Sequence, residues 1–128
     1  MTATAQKRVL VVEDDSLVAM VMEDVLLRMG LDVLINHNLA DALDELELAD
    51  FDIALIDMGL RGESAHPLVQ KLTSTGTPFA VVSGADQSHL KAEFPGVLVA
   101  MKPLGVKALE DVVRSLLGQA VTQASAAR

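Results

Sequence analysis

The chain reads as an α/β domain: a doubly wound sheet of five parallel strands in the order 2-1-3-4-5. Three observations predict it. Short apolar runs alternate five times with segments of helical period. The run Phe51-Asp52-Ile53-Ala54-Leu55-Ile56-Asp57 is apolar and β-branched and closes on turn chemistry at Gly59 and Gly62. That is the pattern of a strand covered on both faces. Right-handed crossovers with helices on both sides then make 2-1-3-4-5 the natural order, with strands one and three adjacent.

Taken in order, Lys7–Val12 is the first strand, closed by Glu13-Asp14-Asp15. Asp15 or Ser16 can cap the helix that follows, and Gly30 is placed to stop it. Val18, Val21, Met22, Val25 and Met29 have the spacing of its core face. Val33–Asn36 is a short second strand, and Asn38 caps a helix that reaches about Leu48. After the central strand a Gly-bearing loop leads to a helix from about Glu63 to Thr73, where Pro67 fits only near the first turn. Phe79–Val82 is the fourth strand, and Asp86 can cap a short helix from Gln87 to Glu93. Val97–Met101 is the fifth strand. A last helix from Val106 carries Leu109, Val112, Val113, Leu116 and Leu117 at helical spacing and stops at Gly118.

Composition narrows the function. A chain of 128 residues, 51% hydrophobic and 22% charged, suits one domain with its own core. It has no cysteine, which excludes disulfides, thiol catalysis and cysteine–zinc sites. A net charge of −8 argues against nucleic acid, which needs a basic footprint. No apolar run approaches the ~20 residues of a membrane span, and the first seven residues are too short and polar for a secretory signal. The plain expectation is a soluble cytoplasmic domain.

Chemistry gathers at one sheet edge. Asp57 ends the central strand, where open α/β sheets bind ligands. Glu13-Asp14, Ser83 and Lys102 each follow another strand. Acids, a hydroxyl and a lysine would thus converge into a site for a divalent metal and a phosphoryl group.

Through these residues the chain resembles the receiver domain of two-component response regulators, a flavodoxin-like fold. The marks are Glu13-Asp14, Asp57, Ser83-Gly84 and Lys102-Pro103, in order, each after an apolar run. The resemblance covers Arg8 to Leu117, which makes 1–7 an N-terminal tail, 8–118 the receiver and 119–128 a C-terminal tail. It implies that Asp57 is the phosphoacceptor. Asp14 would bind Mg²⁺ directly, Glu13 through water, and the backbone carbonyl of Gly59 would complete the protein ligands. A hard ion that keeps several waters suits so sparse an oxygen set. Lys102 would pair with Asp57 and then with the phosphoryl group, and Ser83 would swing its hydroxyl to a phosphoryl oxygen. Many receivers carry a cis peptide before this proline, and the sequence leaves cis or trans open at Lys102-Pro103.

The chain also departs from the family pattern. Val99 stands three residues before the lysine, where an aromatic is usual. Met58-Gly59-Leu60-Arg61-Gly62 lacks the common proline, and the short segment 84–96 implies a stunted fourth helix. These features resemble the alphaproteobacterial FAT GUY group of single-domain receivers. Its namesake motif is met only loosely, with Val81, Val82 and Asp86 where Phe, Ala and Tyr would stand.

The expectation is therefore a stand-alone receiver that takes phosphoryl from a histidine kinase or histidine phosphotransfer protein. Its output would be protein–protein interaction or phosphorelay, and it would not be an enzyme. One rival is a non-phosphorylated pseudo-receiver acting as a scaffold, against which intact Glu13, Asp14, Asp57 and Lys102 argue. Another is an aspartyl-phosphate phosphohydrolase, which wants an acid where Gly59 stands. His37, His66 and His89 show no metal-ligand spacing and read as surface or half-buried. Leu17, Met20, Leu27 and Leu31 form a second apolar stripe on the first helix. Either the last helix or the N-terminal tail covers it, or it is a surface for the kinase or for a second copy in a homodimer.

Overall fold

The computed structural model describes residues 6–126, with the side chains of the last helix described through 119. In order run β1 (Arg8–Val12), α1 (Ser16–Arg28), β2 (Asp32–Asn36), α2 (Leu39–Leu48) and β3 (Ile53–Asp57). Two-residue strands β4 (Gly59–Leu60) and β5 (Glu63–Ser64) follow, then α3 (His66–Thr75), β6 (Phe79–Ser83), α4 (Ser88–Glu93), β7 (Leu98–Met101) and α5 (Val106–Ala126). The main sheet is parallel in the order β2-β1-β3-β6-β7. Leaving out the small β4–β5 hairpin, this is the expected 2-1-3-4-5.

Strand side chains alternate faces, and the core divides accordingly. Val9, Val11, Ile53, Leu55 and Ala80 pack with Met22, Val25 and Leu26 of α1 and Leu109, Val113 and Leu116 of α5. Leu10, Val12, Ala54 and Ile56 face the other way, against Ala42 of α2 and Leu68 and Leu72 of α3. A smaller cluster joins Val81 to Val69 of α3 and Leu90 of α4. All five residues of β3 are buried, so the strand that ends in Asp57 is held on both faces. Its register against β1 (Val12 opposite Ile56) and β6 (Asp57 opposite Val82) aligns the three carboxyl ends.

Local chemistry explains the boundaries. Asp15 caps α1, its Oδ1 accepting from the Leu17 and Val18 amides. Asn38 caps α2 by accepting from the Asp41 amide. At the end of α1, Gly30 has φ +82°, the Gly30 amide bonds Leu27 O, and the Leu31 amide bonds Leu26 O. This is the Schellman closure.

That closure corrects one expectation. Leu31 is not part of the exposed stripe: it is 5% exposed and packs with Leu26 in the core, the apolar contact that accompanies a Schellman turn. Val21, expected in the core, is 58% exposed, because the buried stripe runs through Ala19, Met22, Val25 and Leu26. Leu17, Met20 and Leu27 are exposed as the second-stripe reading expects.

Two element boundaries also differ. Gly118 does not stop α5, which runs on to Ala126; a helix-interior Gly costs only about 1 kcal/mol. The expected C-terminal tail from 119 is therefore helical as far as it is described, and 127–128 lie outside the described residues. Of the expected N-terminal tail, 1–5 likewise lie outside them. The third helix starts at His66 rather than Glu63, because Glu63 and Ser64 pair with Leu60 and Gly59. The hairpin turns at Arg61 and Gly62, both with positive φ (51° and 83°), as a two-residue type I′ turn requires.

Candidate functional site

The ends of β1, β3, β6 and β7 bring Glu13, Asp14, Asp57, Ser83 and Lys102 to one edge. One carboxylate oxygen from each of Glu13, Asp14 and Asp57 lies within 4.8 Å of the others. Glu13 and Asp57 are buried, and Asp14, at the mouth, is half-buried.

Each acid has a partner. Glu13 Oε1 accepts from Lys102 Nζ at 2.8 Å and Oε2 from the Asp15 amide at 3.1 Å. Asp57 Oδ1 accepts from the Gly59 amide at 3.1 Å, while its Oδ2 lies 3.4 Å from Lys102 Nζ. Asp14 Oδ2 accepts from the Arg61 amide at 3.0 Å, which ties the β4–β5 hairpin to the end of β1. Lys102 follows β7, and its own amide donates to Ser83 O. The Lys102-Pro103 peptide is cis.

Electrostatics follow from burial and charge. Burial pushes the Glu13 carboxyl up, and the Lys102 bond only partly offsets this. For Asp14, burial also acts upward but is outweighed by hydrogen bonding with Asp57, Glu13 and the Arg61 amide, which holds it low. For Lys102, burial acts downward but loses to Glu13 and Asp57, so the ammonium is held above its ordinary value. The cluster therefore keeps a cation in place among acids at neutral pH.

The donor set fits a hard divalent cation: carboxylate oxygens from two strand ends, one of them at the mouth. Gly59, the expected carbonyl ligand, sits beside Asp57 through its amide.

Ser83 ends β6, one residue beyond the position opposite Asp57. Its hydroxyl accepts from the Ala85 amide and from Gln87 Nε2, both at 3.0 Å, and donates to Ala85 O at 3.3 Å. Sequence reasoning placed Gln87 only at a helix start and missed this contact. It also missed two histidine roles: His37 Nδ1 contacts Glu13 O at 2.9 Å, and His66 Nε2 contacts the Glu93 carboxylate at 2.9 Å. Residues Val99 and Leu98 of β7 are half-buried.

Fold and site together define a parallel α/β domain whose candidate ligand site is an acid–lysine cluster at the topological switch point. The chain belongs to the response regulator receiver domain family, whose model matches residues 9–114. It is similar in structure to a CheY-like response regulator receiver domain protein from Methanospirillum hungatei JF-1 (TM-score 0.85, 21% identity, 93% of this chain and 99% of that one). It is also similar to a CheY-like receiver domain from Methylobacillus flagellatus (0.76, 25%, 88% and 99%). A further similar structure is SdrG from Sphingomonas melonis Fr1 (0.76, 28%, 90% and 99%). No curated protein matches the chain. As a receiver domain it is part of two-component signal transduction, and no helix among the described residues is long and apolar enough to cross a membrane.

Proposed function

We propose that this receiver accepts a phosphoryl group on Asp57 from a histidine kinase or histidine phosphotransfer protein in the cytoplasm, with Mg²⁺ as cofactor. It passes the signal on by protein–protein contact or phosphorelay and is a phosphoacceptor rather than an enzyme. The observation that carries this reading is the setting of the Asp57 carboxylate: buried at a strand end, between the Gly59 amide and the Lys102 ammonium, beside two further acids.

An Asp57 oxygen attacks the phosphorus of a phosphorylated imidazole. The P–O bond forms as the P–N bond breaks, and the imidazole leaves with that electron pair and takes a proton from solvent. Lys102 stays protonated and supplies positive charge to the transferring group. Mg²⁺ held by Asp14, Asp57 and the Gly59 carbonyl, with Glu13 through water, would neutralise the acids against an approaching dianion. Ser83 gives its hydroxyl to a phosphoryl oxygen once Asp57 is modified.

Of the rival readings, the scaffold is disfavoured because all four charged residues are present and clustered, the three acids within 4.8 Å of one another and Lys102 against Glu13 and Asp57. The phosphohydrolase lacks a side-chain acid at Gly59. The exposed apolar face of α1, with Leu17, Met20 and Leu27, is the place for the phosphodonor to dock; a homodimer would use the same face. The test is incubation with acetyl phosphate and Mg²⁺ followed by intact mass. One phosphoryl group should be gained, and Asp57→Asn should gain none; equal labelling of that variant would put the acceptor elsewhere.

A further inference from the structure

A serine hydroxyl has one proton to give and two lone pairs to fill. All are engaged at Ser83: the Ala85 amide and Gln87 Nε2 fill the lone pairs, and Ala85 O takes the proton. The donated bond, at 3.3 Å, is long beside the ~2.7–2.8 Å usual for O–H···O. It must be given up if the side chain rotates to bring its hydroxyl to a charged phosphoryl oxygen, a shorter and stronger partner, and that rotation carries the oxygen away from Gln87 Nε2 as well.

Gln87 occupies the N-cap position of α4, yet its side chain makes no capping bond to that helix; it reaches back to Ser83 instead. The helix it begins has six residues and one buried side chain, Leu90. At its far end Glu93 is paired with His66, whose ring packs against Phe94 at 5.7 Å. The start of α4 is thus tied to the sheet edge through one side-chain bond. In this chain the position three residues before the lysine is Val99, which has no polar group to report on Ser83.

We propose that Gln87 is the positioning residue of the Ser83 switch. Its amide holds the hydroxyl turned toward the β6–α4 loop, and when Ser83 turns to a modified Asp57 that bond breaks and the first turn of α4 is released. The inference rests on the phosphoacceptor reading for its trigger, but the tether itself exists in the unmodified protein and is testable there.

Amide hydrogen exchange over 87–94 reads the tether in the full chain without phosphodonor. Gln87→Met keeps the length and shape of the side chain and removes the donor. It should speed exchange over 87–91 about 3- to 10-fold, the value of one hydrogen bond, while 66–75 is unchanged. Ser83→Ala should do the same, and the double variant should exchange no faster than either single one. Gln87→Glu should act in the opposite sense: its carboxylate accepts the Ser83 proton, keeps the segment protected, and blocks the change on phosphorylation. With acetyl phosphate and Mg²⁺ the unsubstituted protein should speed over 87–91, and Gln87→Met should show no further change. Exchange in Gln87→Met equal to the parent, or additive effects in the double variant, would overturn the tether. Failure of the parent to take phosphoryl at all would instead remove the phosphoacceptor reading, with the unmodified-state comparison still deciding the tether.

Discussion

Lys102 Nζ lies 2.8 Å from Glu13 Oε1 and farther, at 3.4 Å, from Asp57 Oδ2. In the resting protein the lysine is therefore first the counter-charge of a glutamate 89 positions away in the chain. Glu13 is 1% exposed, and a buried carboxylate without a cation is costly. The pair is a structural bond across the sheet edge as well as part of the proposed phosphoryl site.

Removing the lysine should therefore weaken the fold. In chelator at neutral pH, Lys102→Met should lose about 1.5–3 kcal/mol, the range for a hydrogen bond to a charged group, read from urea unfolding. The sign of its pH dependence is set by the raised folded value of Lys102. The contribution is complete below the unfolded value of about 10.4 and is lost as pH climbs through the folded one. The chain has no tyrosine to titrate in the same window. Parent and variant stabilities should converge as pH rises through the folded value; a gap of unchanged size across that alkaline range would mean that the pair does not carry the difference.

Leu31 and Leu27 lie four residues apart and differ in burial, 5% against 54% exposed. Leu31→Ala should cost about 2–4 kcal/mol of stability as a core truncation. Leu27→Ala should stay within about 0.5 kcal/mol. Equal losses in urea unfolding would put Leu31 back on the surface stripe.

Asp14 has two duties, since its Oδ2 also holds the Arg61 amide. Asp14→Ala should abolish Mg²⁺ binding measured by calorimetry and speed exchange of the Arg61 amide in chelator. Unchanged Mg²⁺ affinity would remove Asp14 from the metal site, and unchanged exchange would remove it as the anchor of the β4–β5 hairpin.

On α1, Met20→Asp with Leu27→Asp should leave the fold intact, because both side chains are more than half exposed. Labelling by acetyl phosphate should persist, while transfer from the protein phosphodonor or self-association is lost. A normal rate of kinase-driven transfer with an unchanged oligomeric state would leave this face without a partner role.

Much was legible in the sequence because it rests on local chemistry and on one global rule. Apolar runs of strand length, an Asn38 cap, a Gly30 stop and helix-period stripes specify the elements, and right-handed crossover then leaves little freedom in strand order. It follows that Asp57, Glu13, Asp14, Ser83 and Lys102 meet at one edge, since each sits just after or at the end of a parallel strand. What the tertiary structure alone decided is pairing and rotation. Nothing local says that Lys102 prefers Glu13 to Asp57 or that Arg61 donates to Asp14, because these bonds join separate loops, and Gln87 turns back four residues to Ser83 only through the way the loop after β6 folds. Helix 1 offers more apolar positions than one face can bury, so which of Val21, Leu26 and Leu31 goes inside depends on how the helix sits on the sheet and how its Schellman turn folds under it.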